Sequence, residues 1–146
     1  MKLLRTIACL AVASAVLAPV AMSEKSGSRA TLTTHSSRFG KVLFDGRGFV
    51  LYAFTRDHGR SACYGRCAKA WPPYFAPRGT LRAGSGLKRS LLGTVKRKNG
   101  KRQVTYAGRP LYYYIGDRSA GQILCQDVDE FGGTWLVIRP SGKLVR

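Results

Sequence analysis

The densest group of reactive side chains in this sequence is His58, Cys63 and Cys67. One imidazole and two thiolates could hold a soft metal ion, with His35 or Asp57 completing four ligands. The same two cysteines could instead be oxidised. Neighbours four apart on a helical turn have Cβ atoms about 5–6 Å apart, so a modest adjustment permits a bridge. Cys63 with Cys67 is the favoured pairing. Pairing of either with Cys125, or two reduced thiols, stays open, because connectivity is not written in a sequence. A disulfide would consume both sulfurs, which makes a metal- or redox-active periplasmic protein using His58, Cys63 and Cys67 the alternative reading, and no cofactor is expected.

Covalent catalysis has little to build on. Cys125 and Ser61 are candidate nucleophiles, but His35 and His58 are the only histidines, and neither lies in a recognisable nucleophile motif. Cys-x-x-Cys-His, which would attach haem, is absent. No catalytic residue is assigned, and the expectation is a protein that is not an enzyme.

A second pattern occurs twice. Tyr52, Phe54 and Asp57 in one stretch, and Tyr112, Tyr114 and Asp117 in another, both read Tyr-x-aromatic-x-x-Asp. Residues two apart on a strand point to one face, so each copy predicts an aromatic core strip followed by an Asp-capped turn. The competing reading is a pair of Asp residues lining a ligand or cation site near a pseudo-twofold axis. Each motif follows a Gly-Arg turn and a Leu-Tyr pair, and each precedes a tryptophan, Trp71 or Trp135. Two such copies predict one pseudo-symmetric domain with a shared core.

Charge narrows the partners. The chain has 25 Lys and Arg against 7 Asp and Glu, a formal charge of +18. Every charged side chain between Asp57 and Asp117 is basic, so local cancellation is impossible there and attraction to polyanions follows. Asn99-Gly100, between Lys96, Arg97 and Lys98 on one side and Lys101 and Arg102 on the other, predicts an exposed hairpin tip. These five residues are the candidate polyanion site. Anionic envelope polymers or lipid headgroups are the expected partners. Nucleic acid ranks lower, since the aromatics lie in apolar runs and are not interleaved with the arginines.

The elements that must position these residues are mainly β. Lys2 and Arg5 followed by the apolar stretch 6–20 and small residues at Ala21 and Ser23 read as a signal peptide over 1–23, cut after Ser23. No transmembrane span remains after cleavage, and the expected location is periplasmic or secreted, an oxidising space. Residues 24–38 form a tail with a candidate first strand, and 39–146 the β domain, with repeat one at about 39–75, a linker at 76–90 and repeat two at about 91–142. The expected fold is a single mainly β domain of two pseudo-symmetric β-meander repeats with at most one or two short helices. Strands are predicted over 41–44, 49–54, 104–106, 111–115 and 135–138. Residues 49–54, 111–115 and 135–138 are continuously apolar and should run through the centre of the sheet. The short helix falls within 62–70 and stops at Trp71-Pro72-Pro73.

At these residues the chain resembles the secreted repeat of unknown function, predicted lipoproteins with a Yx(FWY)xxD motif. Tyr52 to Asp57 and Tyr112 to Asp117 both satisfy that motif. Cys63-x3-Cys67-Ala68 with Trp71-Pro72-Pro73, Gln103 to Tyr106, and Glu130 to Trp135 are similar to other segments of the family. The resemblance covers about 39–142 and implies export but no reaction. Members are often lipoproteins, whereas Cys9 lies inside the apolar stretch and not just after it, so lipidation is not expected here.

Overall fold

The computed structural model describes residues 30–146; the expected signal peptide and its cleavage site lie outside them. Among the described residues eight strands form three small antiparallel sheets. Strands β1 (Leu32–Ser37) and β2 (Gly40–Asp45) make a hairpin, and β3 (Tyr52–Phe54) follows. A five-residue helix α1 (Arg66–Ala70) and a single 3-10 turn (Arg89–Leu91) lead to the meander of β4 (Leu92–Lys96), β5 (Arg102–Tyr106) and β6 (Arg109–Pro110). The strands β7 (Val128–Glu130) and β8 (Gly133–Val137) close the chain, with β8 between β3 and β7. The fold is mainly β, as the repeating apolar runs predict. At the β5–β6 turn, Ala107 and Gly108 both take positive φ, 50° and 73°, the pairing that a tight two-residue hairpin demands.

The two halves repeat the same backbone hydrogen bonds around the motif. Leu51 N donates to Leu43 O at 3.1 Å, and Leu111 N to Val104 O at 3.0 Å. Asp57 N donates to Phe54 O, and Asp117 N to Tyr114 O. Where the copies meet, Tyr52 and Tyr112 exchange backbone hydrogen bonds, each N–H donating to the other's carbonyl at 2.9 Å.

The halves are also interleaved. The motif strand of the first copy pairs with the tryptophan strand of the second, Tyr52 opposite Val137 and Phe54 opposite Trp135. Reciprocally, the motif stretch of the second copy lies along 70–73 of the first, with Ile115 N donating to Ala70 O and Tyr113 N to Pro72 O. Four rings therefore stack in alternation through the core. Phe54 lies on Trp135 at 4.2 Å, Trp135 on Trp71 at 4.0 Å, and Trp71 against Tyr114 at 4.8 Å between centroids. Tyr52 meets Trp71, and Tyr112 meets Trp135, edge to face. Such pairs add to the large apolar area that each ring buries.

Two predicted strands fall short. Of 49–54 only Tyr52–Phe54 is regular strand, and 111–115 contains none. Tyr112 bridges both Tyr52 and Pro73, but Pro72 and Pro73 have no N–H to give, so that ladder is incomplete. Ile115, expected in a covered strand, is 63% exposed.

Candidate functional site

Duplication places each aspartate against the other copy's tyrosine. Tyr112 Oη donates to Asp57 Oδ2 at 2.8 Å, and Tyr52 Oη donates to Asp117 Oδ2 at 2.7 Å. The remaining oxygens cap the loops that follow: Ala62 N donates to Asp57 Oδ1, and Leu124 N to Asp117 Oδ1. Both carboxyls are buried, and burial pushes their pKa values up despite those bonds. Burial likewise holds the phenols of Tyr52 and Tyr112 well above their ordinary value. Each carboxylate is thus committed on both oxygens to its own fold, as the Asp-capped turn predicts.

A third aspartate, Asp45, was not singled out by the motif. Its Oδ1 accepts from Arg47 N and Phe49 N, and its Oδ2 from Arg47 Nε and from Tyr113 Oη. Burial alone would raise it, but these donors outweigh that and hold its pKa below the ordinary value. Arg47–Asp45, at 2.9 Å, is the one ion pair among the described residues.

Cys63 and Cys67 form a disulfide, with Cα atoms 5.3 Å apart. That corrects the alternative metal reading on His58, Cys63 and Cys67, since neither sulfur keeps a lone thiolate to ligate. His35, the offered fourth ligand, packs edge-on against Phe44 and contacts Thr33 Oγ1. Cys125 is free and half-buried. It follows the residue that caps Asp117 as Cys63 follows the residue that caps Asp57, so it is the second copy's Cys63. Phe131 stands four before Trp135, where Cys67 stands four before Trp71, so the second copy has no bridging partner.

The β4–β5 tip also departs from expectation. Lys96, Lys98, Lys101 and Arg102 are exposed, but Arg97 is buried, only 5% accessible. The sequence missed this because Lys-Arg-Lys reads as a solvated run, whereas Arg97, the residue just past β4, turns its side chain inward onto acceptors from the other half. Arg97 Nη1 donates to Ser61 Oγ and to Gln103 Oε1 at 2.7 Å, and Nη2 to Cys63 O at 2.6 Å. Its guanidinium also lies 4.3 Å from the Tyr64 ring centroid, with Lys98 Nζ at 5.1 Å. Arg97, Ser61, Tyr64, Arg60, Lys96 and Lys98 line one cleft. Ser61 Oγ lies 2.7 Å from Tyr112 Oη, whose own proton is given to Asp57. A phenol that holds its proton so firmly is no base, so Ser61 gains a hydrogen-bond partner there and not an activator.

Against known proteins, residues 33–74 and 93–139 match a family described as a secreted repeat of unknown function. The two matched segments coincide with the two interleaved halves. No curated protein and no solved structure matches the chain. Among the described residues no helix is long and apolar enough to cross a membrane.

Proposed function

The chain belongs to the family of the secreted repeat of unknown function, and from that premise we propose that it is an exported, non-catalytic binding module whose basic face engages anionic polymers of the cell envelope. The observation that carries the reading is where the few acids go. Asp57 and Asp117 are buried and consumed by hydrogen bonds to tyrosine and backbone groups, and the buried Asp45 pairs with Arg47 alone, so these three acids leave the other basic side chains without a partner. Lys96, Lys98, Lys101 and Arg102 cluster at one hairpin tip with no acid nearby in sequence. Clustered charge of one sign concentrates polyanions by displacing their counterions.

Binding to lipopolysaccharide, to peptidoglycan and to duplex DNA across a salt series tests this. The expected result is envelope-polymer binding that weakens steeply with salt. Lys101→Gln with Arg102→Gln should lower the log–log slope by about one per charge removed. Indifference to all three polymers, or a preference for DNA, overturns the proposal.

A further inference from the structure

The duplicated fold makes two equivalent clefts, each between a β-hairpin of one copy and the loop after the motif aspartate of the other. One lies between the β1–β2 hairpin and residues 120–124, lined by His35, Ser36, Ser37, Arg38 and Ile123. The other lies between the β4–β5 hairpin and residues 60–64. Register equates Ser37 with Arg97, Val42 with Gln103, and Ile123 with Ser61. The first cleft shows that this fold closes with a short hydroxyl and two aliphatic side chains at those places. The second replaces all three with a buried polar cluster around a cation.

A buried guanidinium is costly unless an anion faces it. Arg97 bonds three neutral oxygens and no carboxylate. Asp57 stands two hydroxyls away, along the series Arg97, Ser61, Tyr112, Asp57. Of the five guanidinium N–H groups these bonds use three. Nε has no protein partner and is not sealed from solvent, and Arg97 is among the residues that line the cleft. Exposed Arg60, Lys96 and Lys98 rim the opening.

We infer that this cleft is an oxyanion pocket that seats one phosphoryl group of a polymer, with Arg97 and Ser61 at its floor and Arg60, Lys96 and Lys98 at its rim. The inference rests on the polyanion reading above and names the group recognised. A guanidinium offers fixed, directional donors to a phosphoryl oxygen, and the rim supplies charge without geometry. The twin cleft, whose Arg38 is exposed and donates to Ile123 O and which has no buried cation at its floor, should not share the property.

Inorganic phosphate is the probe, titrated against chloride at constant ionic strength and followed by amide chemical shifts. Saturable shifts confined to 60–64 and 95–98 are expected, with none at 35–38. Arg97→Lys, which keeps the charge and loses the fork, should weaken binding at least about tenfold. Should that variant fold poorly, Arg60→Gln with Lys98→Gln should weaken it about fivefold without touching the core. Lys101→Gln with Arg102→Gln lies outside the cleft and should leave phosphate binding intact while lowering polymer affinity. Phosphate shifts no larger than those of chloride, or equal in the two clefts, overturn the pocket even if polymer binding persists. Localised phosphate binding without polymer binding keeps the pocket and removes the polymer role.

Discussion

Asp57 and Asp117 sit in equivalent places and carry the same pair of jobs, accepting a phenol from the opposite copy and an amide from their own loop. Asp57→Ala leaves the Tyr112 hydroxyl and the Ala62 amide short of an acceptor, a cost of about 1–3 kcal/mol each way that urea denaturation will show. Their titration has the opposite sign from ordinary acid denaturation. Burial raises both above the ordinary carboxyl value of 3.8, so over the window from there up to the folded-state value the native chain keeps protons that the unfolded chain has released. Stability from these groups is fully present below that window and is lost as pH rises through it. Asp45, held low by its donors, acts in reverse and loses its contribution as pH falls. Asp57→Asn with Asp117→Asn, neutral at every pH, should therefore compare more favourably with the natural chain near neutrality than near pH 4. Thermal melts at the two pH values decide it, and an unchanged difference would count against raised carboxyls. The motif itself was legible as Tyr-x-aromatic-x-x-Asp, because period-two spacing fixes which side chains share a face. Which tyrosine each aspartate would meet was not, since local spacing says nothing of a partner sixty residues away.

At the level of elements, the duplicated motifs predict two β-units, but each unit's strand ladder is completed by the other. Pairing of Tyr52–Phe54 with Trp135–Val137, and of 112–115 with 70–73, leaves neither half with its own closed sheet. The strand expected over 111–115 failed because its neighbour carries two prolines, a residue-level fact whose relevance appears only once the neighbour is known. The helix stopped where Trp71-Pro72 required. Residues 77–80 of the linker are exposed, whereas 82–84 are bound to the β1 edge through Thr31 N to Arg82 O and Gly84 N to Leu32 O. Limited trypsin digestion should therefore cut after Arg78 and leave the two fragments together. They should co-elute on size exclusion in buffer and part only in denaturant; separation in buffer would show that the interleaving does not hold the halves.

Taken whole, the molecule is a small aromatic core inside an unbalanced electrostatic shell. Beyond the three buried aspartates, the described acids are Asp127, Asp129 and Glu130, all on or beside β7, so negative charge is gathered at one edge. Glu130 is partly withdrawn as well, accepting from Trp71 Nε1 at 2.8 Å. The rest of the surface repels itself. Raising ionic strength from about 0.01 to 0.15 M shortens the screening length from about 30 to 8 Å and should lift the melting temperature. A flat or falling melting temperature would mean that the basic residues are already compensated. Composition alone disclosed the excess of charge; the burial of Arg97 did not show, because a basic tripeptide looks solvated until the acceptors that Ser61 and Cys63 bring from the other half are known.

The face-to-face indoles of Trp71 and Trp135 come from different halves of the chain. At 4.0 Å and with nearly parallel ring planes their electronic transitions cannot behave as two independent chromophores. The folded protein thus carries an intrinsic optical marker, a paired band in circular dichroism and an altered emission, that exists only while the two copies are clasped and that needs no label to follow their parting.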